Sequence, residues 1–176
     1  MLTTVEEAAI TGHDADAALE ELYAGHYTAL VRLAVLLLRD QGLAEDVVQD
    51  SFVAVHARWD RIDGAKAPAY LRQTVVNRSR SALRRRAVAT RHQPEPVPAA
   101  AGADETVLRT ERRTAVLDAL AALPARQREV LALRYYLDLS EAEIAGTLGI
   151  SRGAVKSHAS RGAAALRAAL PREEED

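Results

Sequence analysis

The chain contains no cysteine. That excludes disulfides, zinc knuckles, cysteine nucleophiles and iron–sulfur clusters, and it fits a reducing compartment. Aromatic residues make up only 4% of its 176 residues, so any core must be assembled from Leu, Val, Ile and Ala. Strand signals are nearly absent: no stretch alternates apolar and polar residues with β-branched enrichment, and no Asn-Gly or Asp-Gly hairpin turn occurs. Long apolar runs are also missing. The longest, Ala29 to Leu38, covers ten residues and includes Arg32, too short to cross a bilayer. Glu6, Glu7, Asp14 and Asp16 precede the first basic residue, Arg32, so the start reads as neither a signal nor a transit peptide. The expectation is a soluble, cytoplasmic protein with no membrane insertion.

What is present is 48% hydrophobic residues, ample for a globular chain, and a net charge of -2 that hides a segregation. Residues 1–31 carry six acids and no Lys or Arg, and the last four residues, 173–176, are all acidic. Residues 61–92 carry nine bases against one acid, and 151–172 five bases and no acid. Each basic block can neutralise phosphates in a salt-dependent way; each also fits a solvated helix face.

Helical periodicity runs through both halves. It predicts helices near 15–25, 26–40, 44–59 and 67–86, then near 108–122, 125–137, 140–148 and 151–168. Between the groups, Pro94, Pro96 and Pro98 alternate ahead of an Ala/Gly run, a composition for extended chain or a rigid spacer. The expected architecture is all-α, with two small helical domains at 15–88 and 108–170 joined by a linker at 89–107. An acidic extension, 1–14, and an acidic tail, 171–176, flank them.

The sharpest local pattern lies near the C-terminus. Ser140 followed by Glu143 forms a capping box, Ile144, Ala145 and Leu148 mark a buried face, and Gly149 supplies a left-handed turn. Ser151 caps the next helix, anchored by Val155. This is a helix-turn-helix, whose second helix enters a major groove. Gly153, Lys156, Ser157, Ser160 and Ala164 share the face opposite Val155, flanked by Arg152 and Arg161. The face is small and polar enough for base edges, with cations placed for phosphates. Upstream, Pro124 opens a helix at its first position.

Two further helices are informative. Along 44–59, Val48, Phe52, Val55 and Trp59 form an apolar stripe. Asp46, Gln49, Asp50, Val53 and Ala57 lie opposite, an acidic, partly apolar face suited to docking on another protein's helices, or a solvated face whose acids favour the helix dipole. Along 68–86, Leu71, Val75 and Ala82 face inward, while Gln73, Asn77, Arg80 and Arg84 line the other side and resemble a nucleic-acid face. Before it, Asp60 to Ala67 forms a short Gly-containing loop.

The order of these pieces resembles a bacterial RNA polymerase sigma factor of the small extracytoplasmic-function (ECF) type, in its actinobacterial wording, over about residues 18 to 170. The resemblance implies that Asp46, Gln49, Asp50 and Val53 face the polymerase, on the β′ (beta-prime) clamp helices, and that the β flap (beta flap) and promoter DNA are further partners. It implies that Gln73, Asn77, Arg80, Ser81 and Arg84 read the minus-ten element, and that the loop residues Asp63, Gly64 and Lys66 hold a flipped-out base. Arg152, Gly153, Lys156, Ser157, Ser160 and Arg161 would read the minus-thirty-five element. Members are often held by an anti-sigma factor, so one is a candidate partner. No catalytic residue, metal or cofactor is called for; the five histidines form no i,i+4 metal pair. The alternative is a stand-alone helix-turn-helix transcriptional regulator, which would leave the acidic and basic helices of the first half idle. Two departures stand out. Ala159 occupies a position where the family usually has a large apolar residue, and Gly162 one where it has Ala. Gly in a helix interior costs about 1 kcal/mol relative to Ala, so a loose final helix is expected.

Overall fold

The computed structural model describes residues 3–90 and 106–170, with side chains over 15–90 and 111–170. The proline-rich segment and the acidic tail lie outside the described residues, as do the side chains of the acidic extension. Among the described residues there are seven α-helices and no strand: α1 Thr3–Leu38, α2 Gln41–His56, α3 Ala67–Thr90, α4 Thr106–Ala122, α5 Ala125–Leu131, α6 Glu141–Leu148 and α7 Arg152–Ala169.

The two helices expected at 15–25 and 26–40 are one. Gly25 sits inside α1, and a lone Gly lowers helix stability without ending a helix. Tyr23 and Tyr27, one turn apart, stack with ring centroids 4.5 Å apart across that point, and both lie against Phe52 of α2. The helix ends at Leu38, where Arg39 takes a left-handed φ of 58°. Asp40 then starts α2 earlier than expected, its Oδ1 accepting from the Leu43 N–H at 2.9 Å. Helix α2 also stops sooner: Trp59 falls in a short 3-10 turn, Trp59–Arg61, and is packed against the core only partly buried.

Leu30, Leu33, Ala34 and Leu37 of α1 bury a helical stripe against Val48, Phe52 and Val55 of α2 and Leu71, Val75 and Val76 of α3. The stretch Ala15–Leu38 is long and apolar enough to cross a membrane by length and composition, more than the ten-residue run suggests. Here its Leu30–Leu38 end is core instead. Buried Leu and Val side chains each contribute roughly 1.5–3 kcal/mol by removal from water.

In the second half, α5 runs into a π-helical turn, Ala132–Tyr136, rather than a plain continuation. Val130, Leu133, Ile144, Leu148 and Val155 belong to the same continuous buried cluster as Leu71 and Val75. Leu120, Leu123 and Leu131 form a smaller cluster joined by Leu36 and Leu166. The second half therefore rests on the first through both apolar clusters.

Candidate nucleic-acid interfaces and docking face

Local chemistry builds the helix-turn-helix residue by residue. The Ser140 N–H donates to Glu143 Oε2 at 2.9 Å and the Glu143 N–H donates back to Ser140 Oγ at 3.3 Å, the reciprocal capping box. The Ser140 hydroxyl, which donates to Glu143 Oε2 at 2.7 Å, and after it the Ser140 N–H hold the Glu143 carboxyl below the ordinary carboxylate range. Gly149 takes φ 65° and its N–H closes on the Ala145 carbonyl. An L side chain at that φ is strained. Ser151 Oγ accepts from the Ala154 N–H at 3.1 Å, and Val155 is fully buried. Arg152, Gly153, Lys156, Ser157, Ser160 and Arg161 are consequently all exposed along one side of α7.

Helix α7 is regular through Gly162, against the expectation of a loose end. Gly162 is buried, and a Cβ there would stand 3.0 Å from Leu131 Cδ1 and 3.2 Å from Gln127 Cβ. The missing side chain is what lets α7 lie directly on α5. Ala159, 6% exposed, is small for the same close approach.

Spacing in the sequence does not announce Glu141. Its carboxylate lies 3.9 Å from Arg134, 3.9 Å from Arg152 and 3.8 Å from Lys156, beside two cations of the exposed α7 face. These are surface pairs, each contributing at most about 1 kcal/mol.

On α2, Asp46, Gln49, Asp50 and Val53 are all exposed, Val53 at 68%. An isolated valine exposed to that degree amid carboxylates and an amide suits contact with another protein, although single exposed apolar residues are common. Asp50 makes one ion pair, with Arg78 of α3 at 3.5 Å.

Between the end of α2 and α3 lies an open groove of about 640 Å³ lined by Arg58, Tyr70, Gln73, Asn77, Arg78 and Ser81. Three members of the expected minus-ten stripe, Gln73, Asn77 and Ser81, thus share one concave surface. Arg84 is exposed one turn further on, its Nη2 donating to Ser81 Oγ at 3.2 Å. Arg58 was not legible as a site residue. It follows the helix end and reaches across to donate from Nη1 to the Tyr70 hydroxyl at 3.0 Å. The loop residues Asp63, Gly64 and Lys66 are exposed; Asp63 caps a 3-10 turn by accepting from the Ala65 N–H at 3.1 Å.

Arg80, expected on the same open stripe, keeps one contact there, its Nη1 donating to Asn77 Oδ1 at 3.3 Å, and turns the rest of its guanidinium to α5. Its Nε and Nη2 each donate at 2.9 Å to the two carboxylate oxygens of Glu129 on α5, and Glu129 is 5% exposed. Arg126 donates to the same carboxylate at 3.0 Å. Next to it, Arg128 donates to the carbonyls of Leu120, Ala121 and Leu123 and, at 2.8 Å, to that of Leu37 at the end of α1. One guanidinium thus caps the carbonyls at and just beyond the end of α4 together with one at the end of α1. Burial lowers the Arg128 pKa, with Glu129 opposing.

Comparisons with known proteins match both halves of the chain. Residues 22–89 match the family model for sigma-70 region 2 and residues 113–166 that for sigma-70 region 4. The chain is 35% identical over 155 residues to the RNA polymerase sigma-E factor of Streptomyces avermitilis, covering 86% of this chain and 84% of that one. It is 35% identical over 163 residues to the ECF RNA polymerase sigma factor SigL of Mycobacterium tuberculosis, covering 89% and 91%. Among solved structures, the sigma factor RpoE of Bartonella quintana, co-crystallised with the anti-sigma factor NepR, superposes with a TM-score of 0.68. It shares 25% identity over 86% of this chain and 95% of that one. CnrH, in complex with the cytosolic domain of CnrY, gives 0.66 at 27% identity over 90% and 94%.

Proposed function

Because the chain belongs to the extracytoplasmic-function RNA polymerase sigma factors, we propose how its surfaces divide that family's task. As a member it binds core RNA polymerase and directs promoter-specific transcription initiation. We assign polymerase docking and minus-ten reading to residues 15–88 and minus-thirty-five reading to 108–170, with 89–107 as the tether. Residues 1–14 and 171–176 stand outside both.

In this reading the α2 face of Asp46, Gln49, Asp50 and Val53 docks on the β′ clamp helices. The groove of Gln73, Asn77 and Ser81, with Arg84 and the loop residues Asp63, Gly64 and Lys66, takes the single strand of the minus-ten element as the duplex opens. Extruding a base costs a few kcal/mol, so a preformed concave surface rich in amides and hydroxyls is the chemistry the step needs. The exposed side of α7, Arg152 to Arg161, reads the upstream duplex in its major groove while the same half contacts the β flap. No residue performs bond chemistry: the chain is a specificity subunit, not an enzyme, and works in the cytoplasm. The co-crystallised neighbour supports extending a partner of the anti-sigma kind to this chain.

The observation that carries the division is the pairing, on one chain, of an acidic docking face with two separate exposed polar and cationic faces on α3 and α7. Its test is Asp50→Arg. Reversing this charge at an exposed position costs only a surface pair with Arg78, yet association with core polymerase should fall at least about tenfold in a co-sedimentation titration. Unchanged association removes the assignment of the α2 face.

A further inference from the structure

We propose that Glu141 is a specificity-determining residue of the minus-thirty-five reader, an anchor for Arg152 and Lys156 that lets them serve a DNA backbone only where α7 is fully seated in the groove. The inference rests on the assignment of Arg152 and Lys156 to that reader made above. Its first support is the way the carboxylate is divided. Glu141 Oε1 lies 3.9 Å from Arg134 of the π-helical turn. Glu141 Oε2 lies 3.9 Å from Arg152 and 3.8 Å from Lys156. The two α7 cations, one turn apart, thus converge on a single oxygen atom of α6.

The second support is how loosely they are held. The Glu141 side chain is 24% exposed, while those of Arg152 and Lys156 are 68% and 67% exposed. The anion is seated between elements and the cations stand on its open side. Both separations exceed the roughly 2.7–2.9 Å of a charge-assisted hydrogen bond. Attraction therefore keeps the two side chains near Glu141 without consuming their N–H donors, of which a guanidinium has five and an ammonium three. A phosphate can be met from that position.

The third support is charge. Residues 151–172 carry five bases and no acid, so α7 has no counter-charge of its own. Arg152 is its first residue, at the positive end of the helix dipole, where a cation is disfavoured, and Arg152 and Lys156 repel each other at i,i+4. Glu141 supplies the missing anion. Without it the two cations would serve any phosphate backbone, since that attraction carries no sequence information. With it, their position is set in advance. On a matched duplex the base-edge contacts of Gly153, Ser157 and Ser160 seat α7 deeply, and the cations meet the backbone where Glu141 already holds them. On a mismatched duplex α7 stands further out, and the same side chains must leave Glu141 to reach a phosphate. Preorganisation thus favours the matched sequence.

The test is Glu141→Gln in the full-length chain, which keeps the size of the side chain and removes its charge. Titration of a mixed-sequence duplex over a range of salt should show at least about fivefold tighter binding at low salt. The slope of log affinity on log salt should steepen by about 1. Glu111→Gln, the same charge change at an exposed site of α4, should stay within about twofold of the wild type. Thermal melts read whether each variant is folded. Unchanged affinity and slope in folded Glu141→Gln overturn the proposal.

Discrimination is read on the holoenzyme. Run-off transcription from a promoter with its own upstream block, set against the same promoter with that block scrambled, gives a ratio that should fall at least about threefold in Glu141→Gln. Tighter duplex binding with an unchanged ratio overturns the proposal too, because loss of a repelling charge produces that without any anchoring. The duplex titration uses neither polymerase nor promoter, so it judges Glu141 separately from a failure of the sigma-factor assignments, which would show as no promoter-specific transcription by the wild type.

Discussion

The two faces assigned to DNA are prepared in opposite ways. The α7 face is finished by local interactions: a capping box, one left-handed glycine, one serine cap and one buried valine fix the helix and leave Arg152 through Arg161 open to solvent. The α3 face is finished by distant ones. Its groove is shaped by Arg58 reaching to Tyr70, and one of its cations is engaged by a glutamate 49 residues away. The difference teaches that a face built by short-range rules can be ready before any partner arrives. A face whose groups are tied up by another part of the chain depends on where that part sits.

The sharpest way to test the contrast is to disable each face in turn. Gln73→Ala with Asn77→Ala should reduce open-complex formation at least about hundredfold, because each lost amide contact is worth roughly 1–3 kcal/mol. Core polymerase binding should be unchanged, read by strand-opening footprints beside a binding titration. Lys156→Ala with Arg161→Ala should instead weaken binding to the upstream duplex about uniformly across sequences and lower the salt slope by about 2. If the α3 pair lost core binding as well, the two functions would not be separable on that half.

A smaller effect contrasts two glycines of the C-terminal half. Gly162→Ala gains helix propensity but drives a Cβ to 3.0 Å from Leu131 Cδ1. Overpacking typically costs 1–3 kcal/mol, so the net should be a destabilisation of about 1 kcal/mol by denaturant melts. Gly146→Ala, in α6 with nothing within 4 Å of the added Cβ, should stabilise by up to about 1 kcal/mol. A stabilising Gly162→Ala would show that α7 is not seated tightly on α5.

How far these features were legible follows the same division. The capping box, Gly149, Ser151 and the Val155 anchor could be read from spacing because each is a contact within a few residues. The inward stripe Leu71, Val75 and Ala82 was legible for the same reason, being set by helical period. The fusion of the first two expected helices was not, since Gly25 and its neighbours look like a boundary until Tyr23 and Tyr27 are seen stacked against Phe52. Arg80 was placed by its period on the face of Asn77, and its Nη1 does donate to Asn77 Oδ1 at 3.3 Å; what the period could not show is that its other two nitrogens go to Glu129, supplied from elsewhere in the chain. Glu141 among Arg134, Arg152 and Lys156, and Arg58 beside Tyr70, were equally invisible, because nothing in local sequence states which residues a turn or a helix crossing brings together. Gly162 was read as a weakness by its propensity alone, whereas its neighbour across the helix crossing reverses the sign.

The smallest expected effect concerns pH. Glu143 has a lowered pKa in the folded chain. Its capping contribution should be full above the ordinary glutamate range and be lost as the pH falls through the lowered folded-state value. Glu143→Gln should remove that part of the acid dependence of stability, read from melts across the acidic range. An identical pH profile would mean the box contributes nothing through its charge. The carboxyl is exposed, so solvent screening keeps the effect slight.

The most direct test of the central claim, that one chain carries two separate promoter readers for a polymerase it docks on, is run-off transcription from a genomic promoter pool with core polymerase, with and without the protein. The account predicts transcripts that need the protein and whose upstream sequences share two blocks about 25 base pairs apart, the upstream block alone relaxing in Lys156→Ala with Arg161→Ala. Specific binding of the protein by itself to one palindromic element, with no protein-dependent transcripts, would contradict it and identify a stand-alone regulator instead.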